Sequence, residues 1–296
     1  MAQVEFGFML RQKNEQGQSW QDLIAHNQTS IAALTSGFSS LWVEDHLQWE
    51  LTDTFECLST LSYLAASYPQ FKVGTLVLSQ SYRNPALLAK MMATLQALSG
   101  GRVILGLGAG WKEDEYLSYN YPFPTTKIRM EQLEEAAQLV RAMWTAPQPV
   151  TFEGKHYAVH NAYCSPQPSP TIPLLIGGGG EHRTLALVAR YADWWNFNSC
   201  TVEEYDQKLS ILKQHCRNVG RDFSEITLTY LGTVSVAEDP TKVQRNSGKH
   251  FIAGNAEEVT QELQRFRDIG VSHFIFRFLD HETITHFVTH VAPNFS

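Results

Sequence analysis

The sequence predicts a single (β/α)8 barrel, a TIM-type α/β fold running through all 296 residues. Three observations predict it. Short β-branched runs alternate with longer amphipathic stretches from end to end, eight such runs can be counted, and no linker-like segment divides them. A doubly wound open sheet is the runner-up. That fold would place its nucleotide fingerprint after the first strand, where this chain reads LRQKNEQGQ.

Taken in order, Val4 to Leu10 forms the first strand, and a helix over Ser19 to Ser36 closes at Gly37. Leu41 to Glu44 is the second strand, and Thr54 to Ser67 a helix that stops before Pro69. Val73 to Leu78 is the third strand, and Pro85 to Leu98 a helix with proline in its first turn. Val103 to Leu107 is the fourth strand. From Ile128 to Trp144, Leu133, Ala137, Val140 and Trp144 share one helical face. VTFEGKHYAV alternates around Glu153-Gly154, so an inserted β-hairpin stands outside the main rhythm. Pro173 to Ile176 and Trp194 to Asn198 are the fifth and sixth strands, separated by a helix over His182 to Tyr191. A helix over Val202 to Val219, a long seventh strand over Thr227 to Val236, a helix over Ala256 to Ile269, an eighth strand over Phe274 to Phe278 and a last helix complete the chain.

Composition excludes several classes. Hydrophobic residues make up 43% and charged residues 18%, an ordinary globular mixture. The net charge is −7 and no basic run stands out, so neither nucleic acid nor an anionic membrane is an expected partner. The N-terminus lacks a signal-peptide layout, and no apolar stretch approaches the roughly 20 residues of a membrane helix. Cys57, Cys164, Cys200 and Cys216 are widely spaced without CxxC pairs and read as reduced thiols of a cytoplasmic protein. The expected partner is a small-molecule substrate.

Barrel enzymes carry their chemistry at the C-terminal ends of strands. SGGRV leads into the fourth strand and so lies on the opposite rim. There its glycines end a helix, and Arg102 is expected to pair with a neighbouring carboxylate. The second strand ends in VEDHL, which puts Glu44, Asp45 and His46 on the catalytic rim. A histidine there can move a proton near neutral pH, and acidic neighbours bias its charge; a structural histidine on a loop is the alternative. In GLGAGWKEDE, Gly106, Gly108 and Gly110 allow a flat ring to approach the backbone, or else fill a tapering barrel. Trp111 stands where a dinucleotide fingerprint would need its third glycine. In IPLLIGGGGEHRTLALVARYAD a buried strand ends in Gly177, Gly178, Gly179 and Gly180 and a helix follows, with Arg183 nearby. Free N–H groups at a helix start suit an anion site, a plain flexible turn being the alternative, and without a following Gly-Lys-Ser/Thr it is not a P-loop. His286 and His290 lie one turn apart, but with no third ligand in view no metal is expected. Trp194, Trp195 and Phe197 fit a core strand.

In order and spacing, SLWVEDH, the block VGTLVLSQSYRNPALLAKMMATLQALSGGRVILGLGAGWKEDEY, FEGKHY, PLLIGGGGEHRTLALVARYADWWN and GNAEEVTQELQRFRDIGVSHFIFRF resemble the luciferase-like monooxygenase superfamily, most of all its F420-dependent branch. The resemblance implies a luciferase-like barrel with the cofactor, coenzyme F420 or alternatively FMN, across the strand ends. Gly74, Thr75, Leu76, Val77, Gly108 and Ala109 would line its ring, Gly177 to Gly180 and Arg183 would hold its phosphate, and Leu76–Val77 would be a cis peptide. His46 would be the catalytic acid or base and Asp45 its orienter, with Glu44 and Trp111 in the substrate pocket. Related sugar-phosphate dehydrogenases carry a catalytic glutamate where Trp111 stands, so a less polar substrate is expected. The activity implied is hydride transfer to or from a small organic molecule. The alternatives are an FMN monooxygenase fed by a partner reductase and a flavin-binding protein without turnover. A homodimer is expected from the same likeness.

Overall fold

The computed structural model describes residues 3–15, 17–34 and 37–295. Its centre is a ring of eight parallel strands: Glu5–Met9, Phe38–Val43, Lys72–Thr75, Val103–Gly108, Leu174–Gly177, Trp194–Asn198, Thr227–Val236 and His273–Phe278. Each pairs with the next, and the eighth pairs with the first, so the barrel is closed. Closure satisfies every strand on both sides and leaves two apolar compartments. Outward-facing residues such as Phe6, Leu105 and Trp195 pack under the helices. Inward-facing Met9, Trp42, Leu76, Ile104, Leu175, Leu231 and Ile275 fill the lumen. Gly74 belongs to this filling: a Cβ there would lie 2.4 Å from the Trp42 ring, so the third strand gives up a side chain to admit the indole.

The helices follow their caps. Asn84 accepts from the N–H groups of Ala86 and Leu87, Pro85 opens the helix Pro85–Ser99, and Gly100 ends it at φ +70°. Thr201 and Glu204 form a capping box for Val202–Val219, which Gly220 ends. Glu56 caps Cys57–Ser67 through Leu58 and Ser59. The first helix spans Trp20–Ala32, and Thr35 and Ser36, the end of its expected range, lie outside the described residues. The hairpin is present as Val150–Glu153 paired with Ala158–Ala162. Three N–H groups of its turn, from Lys155, His156 and Tyr157, donate to Glu135 on the helix Thr126–Thr145, and the Tyr157 hydroxyl donates to Gln80.

Three elements depart from expectation. A ninth strand, Phe251–Gly254, pairs with Thr233–Val236, where the seventh strand outruns its other neighbour, the sixth strand, whose pairing ends at Leu231. The third strand, expected unbroken to Leu78, stops at Thr75 and resumes at Leu78–Ser79, with the expected cis Leu76–Val77 bond between. A short helix, Glu113–Ser118, follows the fourth strand. Arg102 also differs. It donates to the backbone carbonyls of Ala65, Tyr68, Phe71 and Ser99, where a carboxylate was expected, because the ends of the helices Cys57–Ser67 and Pro85–Ser99 bring carbonyls beside it.

Candidate active site

A cavity of about 1150 Å³ opens at the C-terminal ends of the strands. Leu76 and Val77 lie on its floor, Gly108, Ala109 and Gly110 on one side, and Gly177 and Gly178 beside them. Glu44, His46 and Trp111 face it and the buried Asp45 borders it, so the second and fourth strands meet there as expected. The other expected cofactor contacts stand outside its lining. Gly74 and Thr75 are buried below it, Gly74 against Trp42 and Thr75 with its hydroxyl bonded across to Gly106. Both support the strands beneath the cavity, Gly74 by admitting the indole and Thr75 by tying the third strand to the fourth.

The glycines make room for neighbouring strands and loops. A Cβ on Gly106 would lie 2.1 Å from the Thr75 carbonyl oxygen, one on Gly108 2.6 Å from Val77, and one on Gly110 1.8 Å from the Tyr116 hydroxyl. Their missing side chains admit the protein's own atoms, and the Val77 side chain so seated presents the floor. Gly177 likewise meets Val77 at 3.0 Å, Gly179 meets Phe197 at 2.4 Å and Gly180 meets Thr184 at 2.7 Å. Gly178 sits at φ +114°, a conformation glycine alone adopts readily. Its N–H donates to Asn196, while among the described residues the N–H groups of Gly179 and Gly180 have no protein acceptor. Gly179, Gly180 and Arg183 form the outer rim, where Arg183 donates to the Lys127 carbonyl and the helix Thr184–Tyr191 begins.

His46 is held on three sides. Its Nδ1 lies 3.0 Å and 3.2 Å from the two oxygens of Glu115, and its ring meets Trp49 and Trp111 edge-on at 4.9 Å and 6.0 Å. Glu115 comes from the short helix after the fourth strand, is fully buried, and accepts a second bond from the Tyr82 hydroxyl at 2.9 Å. Burial, and after it the Glu115 charge, push the Tyr82 phenol well above its usual range, so it stays a donor.

Asp45 was expected to orient His46. The structure gives its carboxylate other partners: the Arg83 guanidinium, bidentate at 2.9 Å and 3.0 Å, and the Ser79 N–H at 2.9 Å. Consecutive residues leaving a strand point to opposite sides, so Asp45 turns inward while His46 faces the cavity. Burial raises the Asp45 carboxyl against the opposing pull of Arg83. Glu44 pairs with Arg277 across the mouth. Opposite it, Lys13 lies 3.1 Å from the Trp49 ring centroid, and burial, reinforced by the charges of Arg277, Lys249 and Lys112, lowers its ammonium below the usual range.

Sequence reasoning missed Glu115, Tyr82 and Arg83. Its one available signal was the acidic run Glu113-Asp114-Glu115 before Tyr116, where a helical turn buries the third carboxylate and exposes the first two.

A family model described as luciferase-like monooxygenase matches residues 4–278. The chain is 35% identical over 302 residues to an F420-dependent glucose-6-phosphate dehydrogenase of Intrasporangium calvum, covering 86% of this chain and 87% of that one. It is 32% identical to the same-named protein of Kineococcus radiotolerans over 74% of this chain and 66% of that one. Among solved structures, an F420-dependent secondary alcohol dehydrogenase in complex with an F420-acetone adduct superposes with a TM-score of 0.84 at 20% identity, covering 99% of both chains. The coenzyme F420 dependent tetrahydromethanopterin reductase of Methanopyrus kandleri gives 0.82 at 18% identity over the full length of both. A long-chain alkane monooxygenase gives 0.81 at 14%, covering 99% of this chain and 91% of that one.

Proposed function

The chain belongs to the luciferase-like monooxygenase family, and on that premise we propose that it is a coenzyme F420-dependent oxidoreductase moving hydride to or from a small organic substrate. The observation that carries this reading is the cavity at the strand ends, floored by Leu76–Val77 and faced by one histidine with a buried carboxylate behind it. The likeness of its relatives, named as F420-dependent dehydrogenases, supports the choice of cofactor.

The residues fit such a group. The cavity admits a planar tricyclic ring, because no side chain rises from Gly108, Gly177 or Gly178. Leu76, Val77, Gly108 and Ala109 would lie against the ring, and the free N–H groups of Gly179 and Gly180 with Arg183 would hold a phosphate. Bound F420 supplies a two-electron hydride acceptor or donor that does not readily activate oxygen. His46 takes the proton from a substrate hydroxyl, or returns it, at Nε2, the ring nitrogen turned away from Glu115. Trp49 and Trp111 wall the pocket and favour a substrate with an apolar face. We further propose a cytoplasmic homodimer served by a separate reductase, and sedimentation of the purified protein tests the dimer.

Titration with F420 and with FMN, following quenching of each fluorophore, tests the reading. Quenching of F420 at micromolar concentration is expected. Tight binding of FMN alone would overturn the cofactor assignment in favour of a monooxygenase using reduced FMN. In His46→Ala, F420 quenching is expected to persist while hydride transfer falls by about 10²-fold or more; unchanged transfer would remove His46 from the reaction, and a parent protein that binds but never transfers would favour simple binding.

A further inference from the structure

We propose that Glu115 is a positioning residue that fixes His46 as the Nδ1–H tautomer, so that the free lone pair at Nε2 faces the cavity before any substrate arrives. The inference rests on the role given to His46 above, but the geometry stands apart from the cofactor.

An ionised carboxylate only accepts hydrogen bonds. Both oxygens of Glu115 lie within reach of His46 Nδ1, so that nitrogen must carry the hydrogen. Glu115 cannot turn elsewhere. It is fully buried on a six-residue helix, and the Tyr82 hydroxyl donates to Oε2 from the other side. Tyr82 in turn packs on Tyr116 at 4.7 Å and on Tyr121 at 5.2 Å, and Tyr121 donates its hydroxyl to the Tyr82 carbonyl. The imidazole has equally little freedom, because Trp49 and Trp111 stand edge-on to it. One buried acceptor, braced by Tyr82, therefore selects one tautomer out of two, with Trp49 and Trp111 flanking the ring.

The tautomer has a chemical consequence. A neutral His46 so arranged can accept a proton at Nε2 but cannot donate one there, so it is set for substrate oxidation, in which the hydroxyl proton would pass to Nε2 and hydride from the adjacent carbon to oxidised F420, leaving a carbonyl. The imidazolium then formed keeps its Nδ1–H bond to a carboxylate, which stabilises the new charge where a neutral acceptor would do so less well. Asp45 is excluded from this task by its bidentate bond to Arg83.

Long-range proton–nitrogen NMR of the 15N-histidine-labelled protein, free of cofactor and substrate, tests the tautomer directly, with His46 assigned by comparison with His46→Gln. The neutral ring of the parent is expected to carry its hydrogen on Nδ1. Glu115→Gln is expected to abolish that preference and to lower kcat by roughly 10²-fold with little change in KM, while Glu115→Asp restores part of both. A parent ring protonated on Nε2 would overturn the inference, as would an Nδ1–H tautomer unchanged in Glu115→Gln. Should that variant not fold, the parent spectrum still decides. A failure to bind F420 would leave this spectrum untouched, so the two readings fail separately.

Discussion

Removing the Arg83 side chain's charge, as in Arg83→Met, should be among the most damaging single changes near the site without touching its cavity wall. Asp45 has no exposed side-chain surface and depends on Arg83 for two of its three hydrogen bonds, the third coming from the Ser79 N–H. Leaving a buried carboxylate without its cation costs about 3–5 kcal/mol. The second partner of Arg83, Glu56, keeps 40% of its side chain exposed and adds little to that loss. With a urea slope of about 3 kcal/mol/M for a chain of this size, the unfolding midpoint should fall by about 1–2 M. Asp45→Asn combined with Arg83→Met removes the stranded charge and should recover more than half of the deficit. The pH dependence carries a sign. Burial already raises the Asp45 carboxyl above its ordinary 3.8, and loss of Arg83 raises it further. The folded variant then binds a proton more readily than the unfolded chain, so its deficit shrinks as pH falls toward 4 and is complete above the raised value. Urea unfolding at several pH values measures all three. A cost below 1 kcal/mol for Arg83→Met, or a double variant no better than the single one, would refute the account of Asp45 as a buried ion-pair partner.

Gly110→Ala should lower the melting temperature more than Gly178→Ala. Both glycines sit at positive φ, but a Cβ at 110 also meets the Tyr116 hydroxyl at 1.8 Å, whereas one at 178 finds Thr184 at 3.5 Å, so the latter costs only about 1–2 kcal/mol of backbone strain. The Glu56 carboxyl is held down at about 2: burial opposes this, and bonds from Ser59, Leu58 and Arg83 outweigh it. Its contribution is therefore present above 4.5 and lost as pH falls toward 2, and Glu56→Gln should flatten the acid limb of a stability profile in that window. Tyr157→Phe should cost about 1 kcal/mol by removing the bond to Gln80, and hydrogen exchange should quicken in the hairpin before the barrel strands.

The barrel was legible because its strands are short apolar runs between capped helices, a pattern each segment carries within itself. Pro85, Gly100 and Gly220 mark helix ends in any context. Phe251–Gly254 was not legible, since four residues give too few alternations to read and its pairing exists only because the seventh strand overhangs. The site divides in the same way. His46 and the glycine runs stand out locally, yet the partner of His46 lies 69 residues away, on a six-residue helix too short for a periodic signal. Adjacency in sequence makes Asp45 the expected orienter, and that same adjacency turns its side chain the other way. The glycines were rightly read as places of close approach, but the approaching atoms are those of Thr75, Val77 and Tyr116.

The inserted hairpin ties two distant parts of the rim together. Glu135 clasps its turn and Tyr157 reaches Gln80, two residues before the tyrosine that braces Glu115. An appendage outside the barrel's repeating plan thus acts as a buttress for the loop that supports the reacting histidine. Exchanging it for a segment of equal length without Tyr157 would leave the ring of strands intact and loosen the chemistry from behind.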